Sequence, residues 1–126
     1  MTTVLSGSYF PPYRDEHLAV DFEQKTADLD GRRMTLTRKE YDLLALLVAH
    51  AGGIVPRNAL LKQVWGYGAD IRTRTLDVHI RRLRRKLGAY ADTYIETIFG
   101  IGYRFQPFRA IRVFPGAFEP PIAISA

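Results

Sequence analysis

The 126-residue sequence contains no cysteine, which excludes disulfides and thiolate metal sites and fits a reducing compartment. No stretch approaches the roughly 18 consecutive apolar residues of a membrane span. The opening Met1-Thr2-Thr3-Val4-Leu5 has no basic segment leading into an apolar run, as a secretory signal requires. A cytoplasmic protein with no membrane partner is the expectation. Histidine is scarce: His17, His50 and His79 lie far apart with no metal-ligand spacing, and no serine stands in a Gly-x-Ser-x-Gly elbow. Gly100-Ile101-Gly102 lacks the third glycine and following helix of a dinucleotide loop. The chain is therefore expected to be no enzyme and to carry no cofactor. At 47% hydrophobic and 25% charged, it has the composition of one globular domain with its own core.

What the sequence does have is a basic helix. Within residues 72–87, Leu76, Ile80, Leu83 and Leu87 recur at offsets of four, three and four, so they share one side of a helix and face a core. Arg74, Val78, Arg81, Arg82 and Arg85 fall on the opposite side. Residues 72–86 hold seven Lys and Arg against one Asp, a net +6, while the whole chain is +5 and the remainder therefore −1. Positive charge gathered on one helical face is the electrostatic footprint of nucleic-acid binding. A solvated cationic face, or one lying on an anionic membrane, is the bland alternative for the helix taken alone.

The surrounding segments have their own patterns. In residues 1–16, periodicity does not separate a first strand from a loosely held arm. Leu18, Val20 and Phe22 alternate with Ala19 and Asp21, and Ala27 and Leu29 with Thr26 and Asp28, as in half-buried strands. Asp30-Gly31 supplies a hairpin turn into a returning strand with Met34 and Leu36. Thr37-Arg38-Lys39-Glu40 is a capping box that opens a largely apolar helix ended by Gly52-Gly53. A second helix follows Pro56, with Leu60, Leu61, Val64 and Trp65 on one face, and stops at Gly66. The turn-rich Gly66-Tyr67-Gly68-Ala69-Asp70 leads into the basic helix, as in a helix-turn-helix with a long turn. Residues 94–98 and 103–105 are rejoined through Phe99-Gly100-Ile101-Gly102 as a hairpin. The fold class predicted is α+β, a winged helix-turn-helix: N-terminal antiparallel sheet, three-helix core and C-terminal hairpin wing. Residues 107–126 form a Pro-rich extension of undecided structure.

Four blocks carry a resemblance. Leu36-Thr37-x-x-Glu40-Tyr41-x-Leu43-Leu44 is followed by Arg57-x-x-Leu60-x-x-x-Val64-Trp65-Gly66. Then come Arg74-Thr75-Leu76-Asp77-Val78-His79-Ile80-x-x-Leu83-Arg84-x-Lys86-Leu87 and Glu96-Thr97-x-x-Gly100-x-Gly102-Tyr103-Arg104-Phe105. Together they resemble the DNA-binding (effector) domain of OmpR/PhoB-type response regulators, over residues 17–106. The resemblance implies a four-stranded N-terminal sheet whose fourth strand comes from residues 1–16. It also implies transcription regulation within a two-component, phosphorelay signalling system, with the third helix in the major groove of double-stranded DNA and the wing on the adjacent minor groove. The loop holding Gly66, Tyr67, Gly68, Ala69 and Asp70 would touch RNA polymerase or a neighbouring subunit, and two copies would sit in tandem on direct repeats.

Carried over residue by residue, the resemblance implies phosphate contacts from Arg74, His79, Arg81, Arg84 and Thr97, with Arg85 on the same outward face. Guanidinium forks suit phosphate oxygens. Arg82 would read guanine, Asp77 accept from a cytosine amino group and Val78 touch a thymine methyl. Beside these stand structural readings: His79 as a half-buried ring that only packs, Asp77 as the i+4 partner of Arg81, and Trp65 as core.

Three departures from the family pattern stand out. Phe99, at the wing tip beside Gly100, replaces the usual Arg. It acts as an apolar wedge or sugar contact, or packs against the Pro-rich tail, or marks a wing that no longer binds DNA; packing against the tail is the expectation. Pro56 replaces a Ser or Thr helix cap, which removes one cap bond. Residues 1–16 are too few for a receiver domain, which leans toward a stand-alone regulator over an excised effector domain. The rival function is a winged-helix protein-interaction module that has lost specific DNA recognition.

Overall fold

The structure, a computed structural model, describes residues 11–66 and 73–108. Four short strands come first: β1 (Tyr13–Arg14), β2 (Leu18–Asp21), β3 (Thr26–Leu29) and β4 (Arg32–Arg33), antiparallel in that order. The fourth strand expected from residues 1–16 is β1, with Tyr13 opposite Val20. Asp30 and Gly31 both have positive φ, 51° and 80°, the backbone that a two-residue turn needs to follow the twist of its strands. Alternation sends Leu18, Val20 and Ala27 into the core.

Helix α1 (Arg38–Ala49) starts at Thr37, whose hydroxyl accepts from the Glu40 amide while the Glu40 carboxylate accepts from the Thr37 amide. Glu40 is only 1% exposed, and its Oε1 also lies 2.6 Å from Lys86 Nζ on the basic helix. One carboxylate thus starts α1 and pins it to the basic helix.

Next comes β5 (Ile54–Pro56), a strand not expected from the sequence because Ile-Val-Pro between Gly53 and a helix has no alternation to show. It exists by pairing with the wing: β5, β7 (Gly102–Phe105) and β6 (Ile95–Ile98) make a second antiparallel sheet with β7 central. Gly102 faces Pro56 so closely that a Cβ there would lie 2.1 Å from the Val55 carbonyl oxygen.

Helix α2 (Arg57–Trp65) begins directly after β5 with Pro56 as its cap, and no side chain caps it, as expected. The orphaned Arg57 amide instead donates to the Ile101 carbonyl at 3.0 Å. The wing turn therefore fills part of the cap's role. At the other end, Lys39 Nζ donates to the Val64 carbonyl at 2.7 Å.

Helix α3 (Thr73–Leu87) buries Leu76, Ile80, Leu83 and Leu87 to 1% exposure or less, on the face the spacing predicts. A 3-10 turn and a single-turn helix, α4 (Ala91–Tyr94), carry the chain to β6; one turn is too short to show periodicity. Tyr94 stacks on Phe105 at 5.4 Å, and Tyr13 meets Phe105 edge-on. The Asp15 carboxylate accepts from the Tyr13 and Tyr94 hydroxyls and from the amides of His17, Leu18 and Phe108. This joins the first sheet to the segment after α3. No helix among the described residues is long and apolar enough to cross a membrane.

Burial opposes ionisation of Glu40, but bonds from Lys86 and the Thr37 amide outweigh it and hold the carboxyl below its ordinary range. Replacing Glu40 by Ala is expected to lower unfolding free energy by about 1–2 kcal/mol, since it removes a capping bond and the bond from Lys86, whose ammonium stays in contact with water. Urea denaturation of Glu40→Ala against Glu40→Gln, which keeps a side-chain acceptor for the Thr37 amide, checks this: equal losses would show that the capping half contributes nothing.

Candidate nucleic-acid interface

The basic helix presents the arginine face that its spacing predicts. Arg74, Arg81, Arg82 and Arg85 are exposed, and Val78 beside them is half-buried. Among the described residues no ion pair engages these four arginines. Side-chain cations held out from a buried apolar seam present charge toward whatever approaches α3, at little cost in desolvation.

The remaining candidates are tied into the fold. Asp77 takes a two-pronged bond from Arg57, Nη1 to Oδ1 at 2.8 Å and Nη2 to Oδ2 at 2.9 Å, and its Oδ1 also accepts from the Tyr103 hydroxyl at 2.7 Å. The partner is thus Arg57 on α2, not the Arg81 proposed from i+4 spacing. A planar fork meeting both carboxylate oxygens outcompetes a single contact along an exposed helix face. The Arg57 bonds, reinforced by Tyr103, hold the Asp77 carboxyl below its ordinary range.

Arg84 turns toward the wing. Its Nη2 donates to the Ile95 carbonyl at 2.9 Å and to the Thr97 hydroxyl at 2.7 Å, and its Cζ lies 5.8 Å from the Tyr103 ring centroid. Arg84 and Thr97, both expected at phosphates, therefore bond each other and join α3 to β6. His79 Nδ1 lies 2.8 Å from the Thr75 carbonyl, which can only accept, so Nδ1 carries the proton. In the neutral ring Nε2 is then an acceptor, and a phosphate contact there needs the doubly protonated imidazole. The ring also packs edge-on against Trp65 at 4.9 Å.

Gly66 is the C-cap of α2, while Tyr67, Gly68, Ala69 and Asp70 lie outside the described residues. At the wing tip, Gly100 has φ 78° and Phe99 is 89% exposed. The packing expected for Phe99 against the C-terminal extension is not found among the described residues. The last of them, Phe108, packs instead on His17, beside Tyr90.

Residues 57, 77 and 103 are 20 and 26 positions apart, and no local spacing links them. Arg57 and Tyr103 therefore escaped notice as site residues, although both stand in the blocks that carry the resemblance. The network gives a pH signature. Because the folded pKa of Asp77 is depressed, its stabilising effect is present above the unfolded carboxylate pKa of about 3.9 and is lost as pH falls through the folded value. Asp77→Asn is expected to cost about 1–2 kcal/mol at neutral pH and to flatten the acid limb below about pH 4. Thermal melts from pH 7 to 2 check this, and parallel acid limbs in the two proteins would contradict it.

Comparison with known proteins agrees with this geometry. Residues 31–105 match the family described as "Transcriptional regulatory protein, C terminal". The chain is 43% identical over 89 residues to the transcriptional regulatory protein HprR of Escherichia coli, covering 70% of this chain and 40% of HprR. It is 38% identical over 87 residues to the response regulator ArlR of Staphylococcus haemolyticus, covering 68% of this chain and 40% of ArlR. The chain thus spans well under half the length of these curated relatives. Among solved structures, the DNA-binding domain of RstA from Klebsiella pneumoniae, crystallised with the RstA box, aligns with TM-score 0.69 at 35% identity, over 79% of this chain and 100% of that one. The response regulator DrrB of Thermotoga maritima, an OmpR/PhoB homologue, aligns with TM-score 0.69 at 33% identity, over 75% of this chain and 44% of that one. With its four-stranded sheet, basic third helix and three-stranded wing, the chain belongs to the family of C-terminal, OmpR/PhoB-type winged-helix DNA-binding domains of transcriptional regulators.

Proposed function

We propose that this chain binds double-stranded DNA sequence-specifically and serves transcription regulation of the two-component type, without catalysis, in the cytoplasm. One observation carries the reading: α3 buries a complete apolar seam while Arg74, Arg81, Arg82 and Arg85 stand exposed on it. The RstA domain, solved with its DNA box, supports it. In this reading α3 enters the major groove, Arg82 reads a guanine edge and Val78 meets a thymine methyl. Arg74, Arg81 and Arg85 bond phosphates and release counterions. Asp77, Arg84 and Thr97 act one step back, holding α3 and the wing in register, and His79 packs on Trp65 and adds a phosphate contact only when protonated. Residues 66–72 are the proposed contact for RNA polymerase, and tandem copies on direct repeats the proposed assembly.

A protein-interaction module is the second reading, favoured by the exposure of Phe99, Ile101 and Ile54 at 89%, 50% and 43%. Salt separates the two, because phosphate contacts weaken steeply between about 50 and 200 mM salt and apolar docking does not. Duplexes selected from genomic fragments and titrated by fluorescence anisotropy provide the test. Arg81→Ala and Arg85→Ala are each expected to lower the slope of log K against log salt by about 1 for every sequence. Arg82→Ala is expected to cost about 1–3 kcal/mol at one base position. Failure to shift any duplex at low salt, or an Arg82→Ala protein that weakens equally on matched and mismatched sites, would overturn the reading.

A further inference from the structure

We propose that the corner of the N-terminal sheet formed by Asp15, Glu16, His17 and Asp30, with Tyr90 beside it, is an interaction surface whose occupant is this chain's own C-terminal extension, residues 109–126, acting as a strap. The chain leaves β7 at Phe105, the end of the hairpin opposite the tip, and is at once held by other elements. The Gln106 amide donates to the Tyr94 carbonyl at 2.9 Å, and its side-chain Nε2 to Glu96 Oε1 at 3.1 Å. Two residues on, the Phe108 amide donates to Asp15 Oδ2 at 3.2 Å, and the Phe108 ring meets the His17 ring edge-on at 4.5 Å. His17 stacks on Tyr90 at 4.3 Å, and Asp30 bonds both, lying 2.6 Å from His17 Nδ1 and 2.8 Å from the Tyr90 hydroxyl. A ring contact joined to an amide bond on a carboxylate fixes direction as well as position. The extension is therefore launched from this corner.

Charge complementarity selects the occupant. Residues 13–30 hold six Asp and Glu against two Lys and Arg, a net −4, whereas residues 72–86 carry +6. The extension opens with Arg109 and Arg112, so the basic helix repels its first residues and the sheet attracts them. Asp15, Asp21, Asp28 and Asp30 already accept bonds from within the domain. Glu16 is different: it is exposed, and among the described residues no ion pair engages it. It stands between Asp15 and His17, the two residues that hold Phe108. Arg109 follows Phe108 directly, one Cα step of about 3.8 Å further on. Ile111, Val113 and Phe114 then bring apolar side chains toward the half-buried rings of Tyr90 and Phe108. In this arrangement the strap covers the sheet and leaves the arginine face of α3 open.

Because the chain has no cysteine, Ala117→Cys carries a single nitroxide, and the experiment reads the loss of backbone amide signal that this label causes in the isotope-labelled full chain. Residues 14–19 and 28–31 are expected to lose most of their intensity while residues 74–85 keep theirs. Adding Phe108→Ala is expected to restore most of the lost signal. Adding Glu16→Lys is expected to restore part of it, and this exposed substitution keeps the test open if Phe108→Ala lowers the melting temperature. Loss spread evenly over the surface, or centred on α3 or the wing tip, would overturn the proposal, as would an unchanged loss in Glu16→Lys. The same loss in an isotope-labelled chain without nitroxide, mixed with an unlabelled chain that carries it, would give the surface to a second copy and overturn the strap.

Discussion

The two-pronged bond between Arg57 and Asp77, closed by the Tyr103 hydroxyl, is the contact on which the arrangement of this domain turns. It joins the first residue of α2, the second turn of α3 and the central strand of the wing. Hydrophobic burial alone would leave α3 free to rotate or slide, since an apolar seam is non-directional. A forked guanidinium with a fixed acceptor is directional. It sets the angle at which the exposed arginines leave the surface. Arg84 repeats the device two turns further on, bonding β6 and lying over the same Tyr103 ring. Lys86 and Glu40 then fix the far end of α3 to the start of α1.

Arg57 at the start of α2 and the basic residues of α3 thereby divide into two kinds by where they point. Arg57, Arg84 and Lys86 are spent inside the protein on carboxylates, a carbonyl and a hydroxyl. Arg74, Arg81, Arg82 and Arg85 are left outward. Charge counted along the sequence overstates what is available to a ligand, because some of it is the scaffold of the rest. The same division gives Asp77 and Thr97 partners inside the protein.

Much of the fold was legible because its signals are local. The Thr37 and Glu40 capping box, the Asp30-Gly31 turn and the Leu76, Ile80, Leu83, Leu87 seam each lie within a few residues and each appear as expected. What was not legible is long-range. Strand β5 is three residues with no alternation and exists only because β7 lies beside it. Arg57 and Tyr103 are ordinary letters until the fold sets them around Asp77. Phe99 stands exposed at the end of a braced hairpin, and nearly all of the extension on which it is expected to pack lies outside the described residues.

In the proposed function, wing and recognition helix meet DNA as one preset body. The most direct measurement is the set of backbone amide shifts as a selected duplex is added to labelled protein. Shifts confined to residues 74–85 and 98–101, moving together at one midpoint with the amides of β1 to β3 still, are the predicted result. Shifts concentrated on the N-terminal sheet, or a wing that responds at a different midpoint from α3, would contradict it.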